Sequence, residues 1–165
     1  GIDWIARVGD EEFVDVRSVE VDESGRVYVG DRGNHRVQVF DSAGGYLWTI
    51  GTTGESGTAN THLNKPADID VTTDRIYVVD GKNQRVQVFD RNRTYLDTLG
   101  GTSGTGNYSF NDPFGFLATP TSLFVADTYN DRGRTGCSTS WTQTTSASRC
   151  STPTTSPTTA PCSPG

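Results

Sequence analysis

The sequence has no methionine, only two histidines (His35 and His62), and three cysteines (Cys137, Cys150 and Cys162). So little histidine leaves poor material for a His-rich metal centre, and the cysteines lack zinc-ligand spacing. No apolar run approaches the length of a membrane-crossing helix. Hydrophobic residues make up 32%, which is lean for one large core and suits many short strands. No Lys/Arg cluster is visible. All 20 acidic residues lie in 1–132 with 12 of the 14 basic ones, a balance of −8. Such a surface repels phosphate backbones, so nucleic-acid binding is not expected. There is no helical apolar stripe, no Ser/His/Asp set in supporting context and no phosphate-cradling loop. No catalytic residue, metal ligand or cofactor is therefore assigned. No signal peptide is visible, and Gly1 points to a start that is missing or processed.

What is present is a repeat. Gly25–Asp41, with Val27-Tyr28-Val29-Gly30-Asp31 and then Asn34-His35-Arg36-Val37-Gln38-Val39-Phe40-Asp41, aligns with Asp74–Asp90. The second copy carries Ile76-Tyr77-Val78-Val79-Asp80 and Asn83-Gln84-Arg85-Val86-Gln87-Val88-Phe89-Asp90. A third copy runs from Ser122 to Arg132 and stops in mid-motif. Asn34, Asn83 and Asn130 fall 49 and 47 residues apart. Phe13, Leu63 and Phe110 each open a unit. Tyr46–Gly51 matches Tyr95–Gly100, and Trp4–Gly9 fits the same segment.

The first unit reads as strands near 16–21, 26–31, 35–40 and 45–50. Val27, Val29, Val37 and Val39 alternate with the period of a strand. Asp22-Glu23-Ser24-Gly25 and Asp41–Gly45 carry hairpin-turn chemistry. Four-stranded meanders repeating every 40–50 residues indicate propeller blades. The expected fold is all-β: a partial propeller of four-stranded antiparallel blades with a disordered C-terminal tail. Residues 1–9 form the last strand of a preceding blade or a closing strand. Blade 1 occupies 10–51, blade 2 occupies 52–100, and the first half of blade 3 occupies 101–132.

Asn-x-Arg-Val-Gln-Val-Phe-Asp, preceded by Ile-Tyr-Val-x-Asp, resembles the signature of the NHL repeat, over roughly residues 3–132. The resemblance implies a closed ring, usually of six blades. It also implies binding or scaffold work, as in tripartite-motif ubiquitin ligases and bacterial sensor kinases, although no RING, B-box or kinase sequence is present. Some related propellers are amidating lyases or lactonases with an axial metal, which would need clustered His and acidic ligands. Some NHL domains bind RNA, which the −8 balance opposes.

Asp31, Asp80 and Asp127, followed by Arg36, Arg85 and Arg132, recur in every unit. Their expected role is structural, with Asp and Asn satisfying turn amides and Arg pairing with a carboxylate. The candidate binding surface consists of the loop residues Arg32, Gly33, Asn34, Lys82, Asn83, Gln84, Tyr129 and Asn130, together with Trp48, which has no aromatic equivalent in the next unit. The partner expected there is a protein, and blade faces left open invite self-association. His35 is assigned a turn role, and Thr52–His62 reads as a plain mobile connector.

Residues 133–165 contain no Asp, Glu, Ile, Leu, Val or Phe and are dominated by Ser and Thr, with Pro. Such a composition cannot build a core. Two readings stand. A mucin-like stalk would favour an extracytoplasmic or secreted protein. A shifted reading frame would explain the break after Arg132. With codons ending mostly in G or C, a one-base shift turns Ser138–Thr145 into an acidic, strand-like text. The coding DNA decides between them.

Overall fold

A computed structural model describes residues 12–104, 109–119 and 123–129. The expected strand at 1–9 and the tail at 133–165 lie outside the described residues, as do Asn130 and Arg132.

The regular structure of the described residues is almost entirely strand, in the order the repeat dictates. Blade 1 contains β1 (Val16–Val21), β2 (Val27–Asp31), β3 (Arg36–Phe40) and β4 (Tyr46–Gly51), hydrogen-bonded in sequence as an antiparallel sheet. Blade 2 repeats this with β5 (Pro66–Val71), β6 (Arg75–Asp80), β7 (Arg85–Asp90) and β8 (Tyr95–Gly100). A 3-10 turn at Gly81–Asn83 joins β6 to β7. The two residues of β9 (Thr102–Ser103) pair in parallel with β10 (Ser109–Phe110). Blade 3 is described as β11 (Pro113–Ala118) paired antiparallel with β12 (Leu123–Asp127).

The units repeat in their irregularities as well. Each first strand is bulged after its opening residue, at Val16/Ser18, Pro66/Asp68 and Pro113/Gly115. Proline is tolerated at such a strand start because no ladder bond is required of it. Asp15, Lys65 and Asp112, just before these strands, all have left-handed backbones with φ of 52–59°. Gly51 and Gly100 end their blades at φ 92° and 83°. A Cβ on Gly100 would lie 2.5 Å from the Phe110 ring and 2.8 Å from the Gln84 carbonyl. Only glycine fits where one blade hands the chain to the next.

Strand alternation gives each blade two faces. Tyr28, Val37, Val39 and Ile50 of blade 1 pack against Ile69, Ile76, Val78 and Phe89 of blade 2, with Leu63 between them. The opposite face of blade 2, carrying Tyr77, Val79, Val86 and Val88, packs on Phe110, Phe116, Leu123 and Val125 of blade 3. The core is therefore two apolar layers between successive sheets, and each fully buried aliphatic or aromatic side chain contributes about 1.5–3 kcal/mol. Polar staples reinforce the second layer. The Phe116 and Ala118 N–H groups donate across the blades to the Asp68 and Asp70 carboxylates. Burial pushes the Asp68 carboxyl above its ordinary pKa. At the two ends of the stack, Val19, Val21 and Leu47 of blade 1 and Leu117 and Phe124 of blade 3 are exposed.

Candidate functional site

In the two complete blades, the recurring Asp and Arg residues turn inward. Asp31 and Asp80 are fully buried. One carboxylate oxygen of each accepts a backbone N–H from the segment entering the blade: Val14 to Asp31 at 2.8 Å and Asn64 to Asp80 at 2.6 Å. Asn111 does the same to Asp127 at 2.6 Å. The second oxygen accepts from the amide of Asn34 or Asn83 at 2.9 and 2.8 Å, and from Nε of Arg36 or Arg85 at 2.7 Å in both blades. Asn34 also donates to the Glu12 carbonyl, and Asn83 to the Gly57 carbonyl. Arg36 reaches Thr53 Oγ1 at 3.1 Å. In blades 1 and 2, Asp, Asn and Arg thus form one buried knot each, saturated with charge-assisted bonds.

The same knot corrects the reading of Thr52–His62 as a mobile connector. Arg85 donates to the carbonyls of Thr58, Ala59 and His62, and Gln87 donates to His62 as well. A guanidinium can satisfy several loop carbonyls at once, so the segment is tied to blade 2.

The candidate surface residues divide into two groups. Asn34 and Asn83 are spent in the knots. The Gly33 N–H donates to the Val14 carbonyl, and a Cβ there would lie 2.4 Å from a Val14 methyl. Trp48 is partly buried between blades 1 and 2, edge-on to Tyr28 and beneath the Arg93 guanidinium at 5.7 Å. Its unmatched position in the repeat reflects this contact rather than a free surface. Gln84 has a left-handed backbone at φ 57°, and its Oε1 accepts the Asp112 N–H at 2.5 Å. His35, in the equivalent conformation at φ 56°, accepts the Lys65 N–H on Nδ1 at 3.1 Å. Burial, then the Lys65 charge, hold the imidazole below its ordinary pKa, consistent with a neutral acceptor.

Arg32, Lys82 and Tyr129 remain, all at the β2–β3 end of their blades. Arg32 and Lys82 line a pocket of about 100 Å³ with Arg17, Lys65, Asp112 and Phe114. Three blades contribute: Arg17 and Arg32 from the first, Lys65 and Lys82 from the second, Asp112 and Phe114 from the third. Gly81 lets them close in, since a Cβ there would lie 3.2 Å from the Lys65 carbonyl and 3.5 Å from that of Pro113. Asp15 receives Arg32 at 2.5 Å and Arg17 at 3.0 Å, and Lys82 meets Asp112 at 3.0 Å. The hydrogen bond from Arg32 is the main force lowering the Asp15 pKa. Lys65 makes no side-chain ion pair among the described residues. Four cations therefore face two carboxylates. Phe114 and Tyr129 are 55% and 66% exposed. The backbone N–H of Tyr129 donates to the Asn111 carbonyl at 3.0 Å, which places it next to Asp112.

Arg17, Lys65 and Phe114 were not singled out from the sequence. A signal existed. Arg17, Ala67 and Phe114 share one column of the repeat, Asp15, Lys65 and Asp112 another, and Gly33, Lys82 and Tyr129 a third. These are columns where the units disagree.

A larger cavity of about 670 Å³ lies at the opposite end of the blades, lined by Asp22, Asp74, Arg75, Tyr77 and Arg91 among others. Both of its arginines are paired with carboxylates of the same cavity. Arg91 pairs with Asp22 across blades 1 and 2, and Arg75 with Asp74 at 3.4 Å. Burial opposes ionisation of Asp22, yet bonds from Ser24, Arg26, Tyr28 and Arg91 outweigh it and hold its pKa well below the usual range. A depressed folded pKa means the group stabilises the fold above the unfolded value and that this contribution is lost as pH falls through the folded one. The melting-temperature gap between wild type and Asp22→Asn should be steady near neutrality and narrow below about pH 4. A gap unchanged down to pH 3, roughly an acid-range limit for such melts, would show that Asp22 is not so held.

Among the described residues, no group of three or more His, Cys, Asp or Glu is placed to hold a metal, and no helix is long and apolar enough to cross a membrane.

The NHL repeat family matches residues 13–40 and 63–89, the knot-bearing parts of blades 1 and 2. No curated protein matches. Solved structures do. An auxiliary nutrient binding protein from Bacteroides thetaiotaomicron aligns at 16% identity and TM-score 0.57, over 68% of this chain and 35% of its own. A streptogramin B lyase aligns at 11% and 0.54, over 79% and 40%. A catalytically inactive virginiamycin B lyase from Staphylococcus aureus, solved with quinupristin, aligns at 9% and 0.52, over 79% and 41%. At such identities the likeness is one of fold. The chain spans well under half the length of each of these structures.

Proposed function

We propose that this chain, whose two complete blades are NHL repeats, is a protein-binding module that uses the β2–β3 loop end of its blades as the recognition surface. One observation carries the reading. Positions where the units agree are consumed in buried knots, whereas positions where they differ, such as Arg17, Lys65, Lys82, Phe114 and Tyr129, gather at one end of the stack. A rigid scaffold that gathers variable, exposed side chains at its rim is suited to presenting a binding surface. Exposed aromatics and arginines are the side chains that dominate protein interfaces.

Selection from a displayed peptide library tests this without a known partner. Peptides enriched on the wild-type chain should lose roughly tenfold or more in affinity on Tyr129→Ala or Phe114→Ala, as expected for interface aromatics. They should be unaffected by Thr73→Ala at the other end. Enriched peptides that respond to Thr73 and ignore both aromatics would place the surface elsewhere.

A further inference from the structure

We infer that the pocket bounded by Arg17, Arg32, Lys65 and Lys82 is an anion site for carboxylate side chains, so that the partner segment docking on this face is acidic. This rests on the recognition surface proposed above and gives it a chemistry.

The charge pattern is the first ground. The chain carries a formal −6, yet four of its 14 basic residues converge on one small pocket from two blades. Against a net negative protein, such a focus is attractive only locally, which confers orientation as well as affinity. The second ground is occupancy. Arg32 and Arg17 share the single carboxylate of Asp15, and Lys82 takes Asp112. Lys65 is left with its ammonium unpaired among the described residues. A third ground is what the pocket already does. Its arginines and Lys82 hold carboxylates at 2.5–3.0 Å, so an incoming Glu or Asp would join a network of the same chemistry.

The choice of an acidic peptide over a polynucleotide follows from the surroundings. Phe114 lines the pocket beside the cations and is exposed, and Tyr129 is exposed at the same end of the blades, which suits a chain bearing both carboxylates and apolar side chains. A phosphate backbone needs a track of several cations to release its counterions. Here the cations form a single focus within an acidic surface.

Fluorescence anisotropy with a labelled oligoglutamate peptide tests the inference directly. Because the chain is net negative, non-specific attraction should not mimic the signal. Binding should weaken as salt rises from about 50 to about 300 mM. Lys65→Glu should reduce affinity roughly tenfold or more, and Lys65→Gln by less. Lys65 holds the loop through its backbone N–H to His35, so both variants should melt like wild type. Oligoglutamate affinity unchanged in Lys65→Glu would overturn the inference. So would an oligouridylate of equal length that binds at least as tightly and depends on Lys65. If library-selected peptides still depend on Tyr129 but carry no acidic residues, the recognition surface stands and the anion site falls.

Discussion

Asp80→Ala should cost about 3–5 kcal/mol, the toll for removing one member of a buried ion pair. Asp80 is inaccessible to solvent, and its carboxylate is the common acceptor for the Asn64 N–H, Asn83, Arg85 and Gln87. Deleting it strands the Arg85 guanidinium, which is itself 7% exposed, and frees the connector that Arg85 clasps. The conservative Asp80→Asn is no rescue. One of its two positions becomes an amide donor aimed either at the Asn64 N–H or at the Asn83 and Arg85 donors, a clash in both orientations. Urea unfolding followed by tryptophan fluorescence measures both variants. Asp80→Asn with wild-type stability would mean that the knot does not carry the charge assigned to it.

Phe89→Ala should be comparably damaging, at about 3–5 kcal/mol for emptying a buried aromatic site. Phe89 is 3% exposed and lies in the layer between blades 1 and 2, edge-on to Tyr95 at 6.1 Å between ring centroids. Leu96, on the neighbouring strand, is 48% exposed. Leu96→Ala should therefore stay within about 0.5 kcal/mol of wild type. The contrast between the two tests stacking specifically, because both side chains are apolar and both belong to blade 2. Equal losses would place Leu96 in a core and undo the assignment of faces.

The blades were legible in the sequence because their period is written three times. The four strands of the first unit lie within one residue of the positions that Val27, Val29, Val37 and Val39 and the Asp22 and Asp41 turns imply. The hydrogen-bond knot is half legible. Recurrence of Asp, Asn and Arg marks those residues as architectural, but the carbonyls that Arg85 binds lie in a connector whose Gly, Ser and Thr content suggests mobility. The cationic pocket was hidden for a different reason. Arg17, Arg32, Lys65 and Lys82 are scattered along the chain and form no run. They meet only because stacking superposes the same end of every blade, a consequence of the fold. Trp48 was misleading in the converse way, since a residue unique within its repeat column turned out to fill space between blades.

The stacked-blade arrangement is tested most directly by nuclear Overhauser contacts in the intact chain. Cross-strand contacts should join Val29 with Gln38, and Val78 with Gln87, each within its own sheet. Methyl contacts should connect Val37, Val39 and Ile50 with Ile69, Ile76 and Val78 across the inter-blade layer. Cross-strand backbone contacts between residues 27–31 and 75–80, or helical contacts within either stretch, would contradict it.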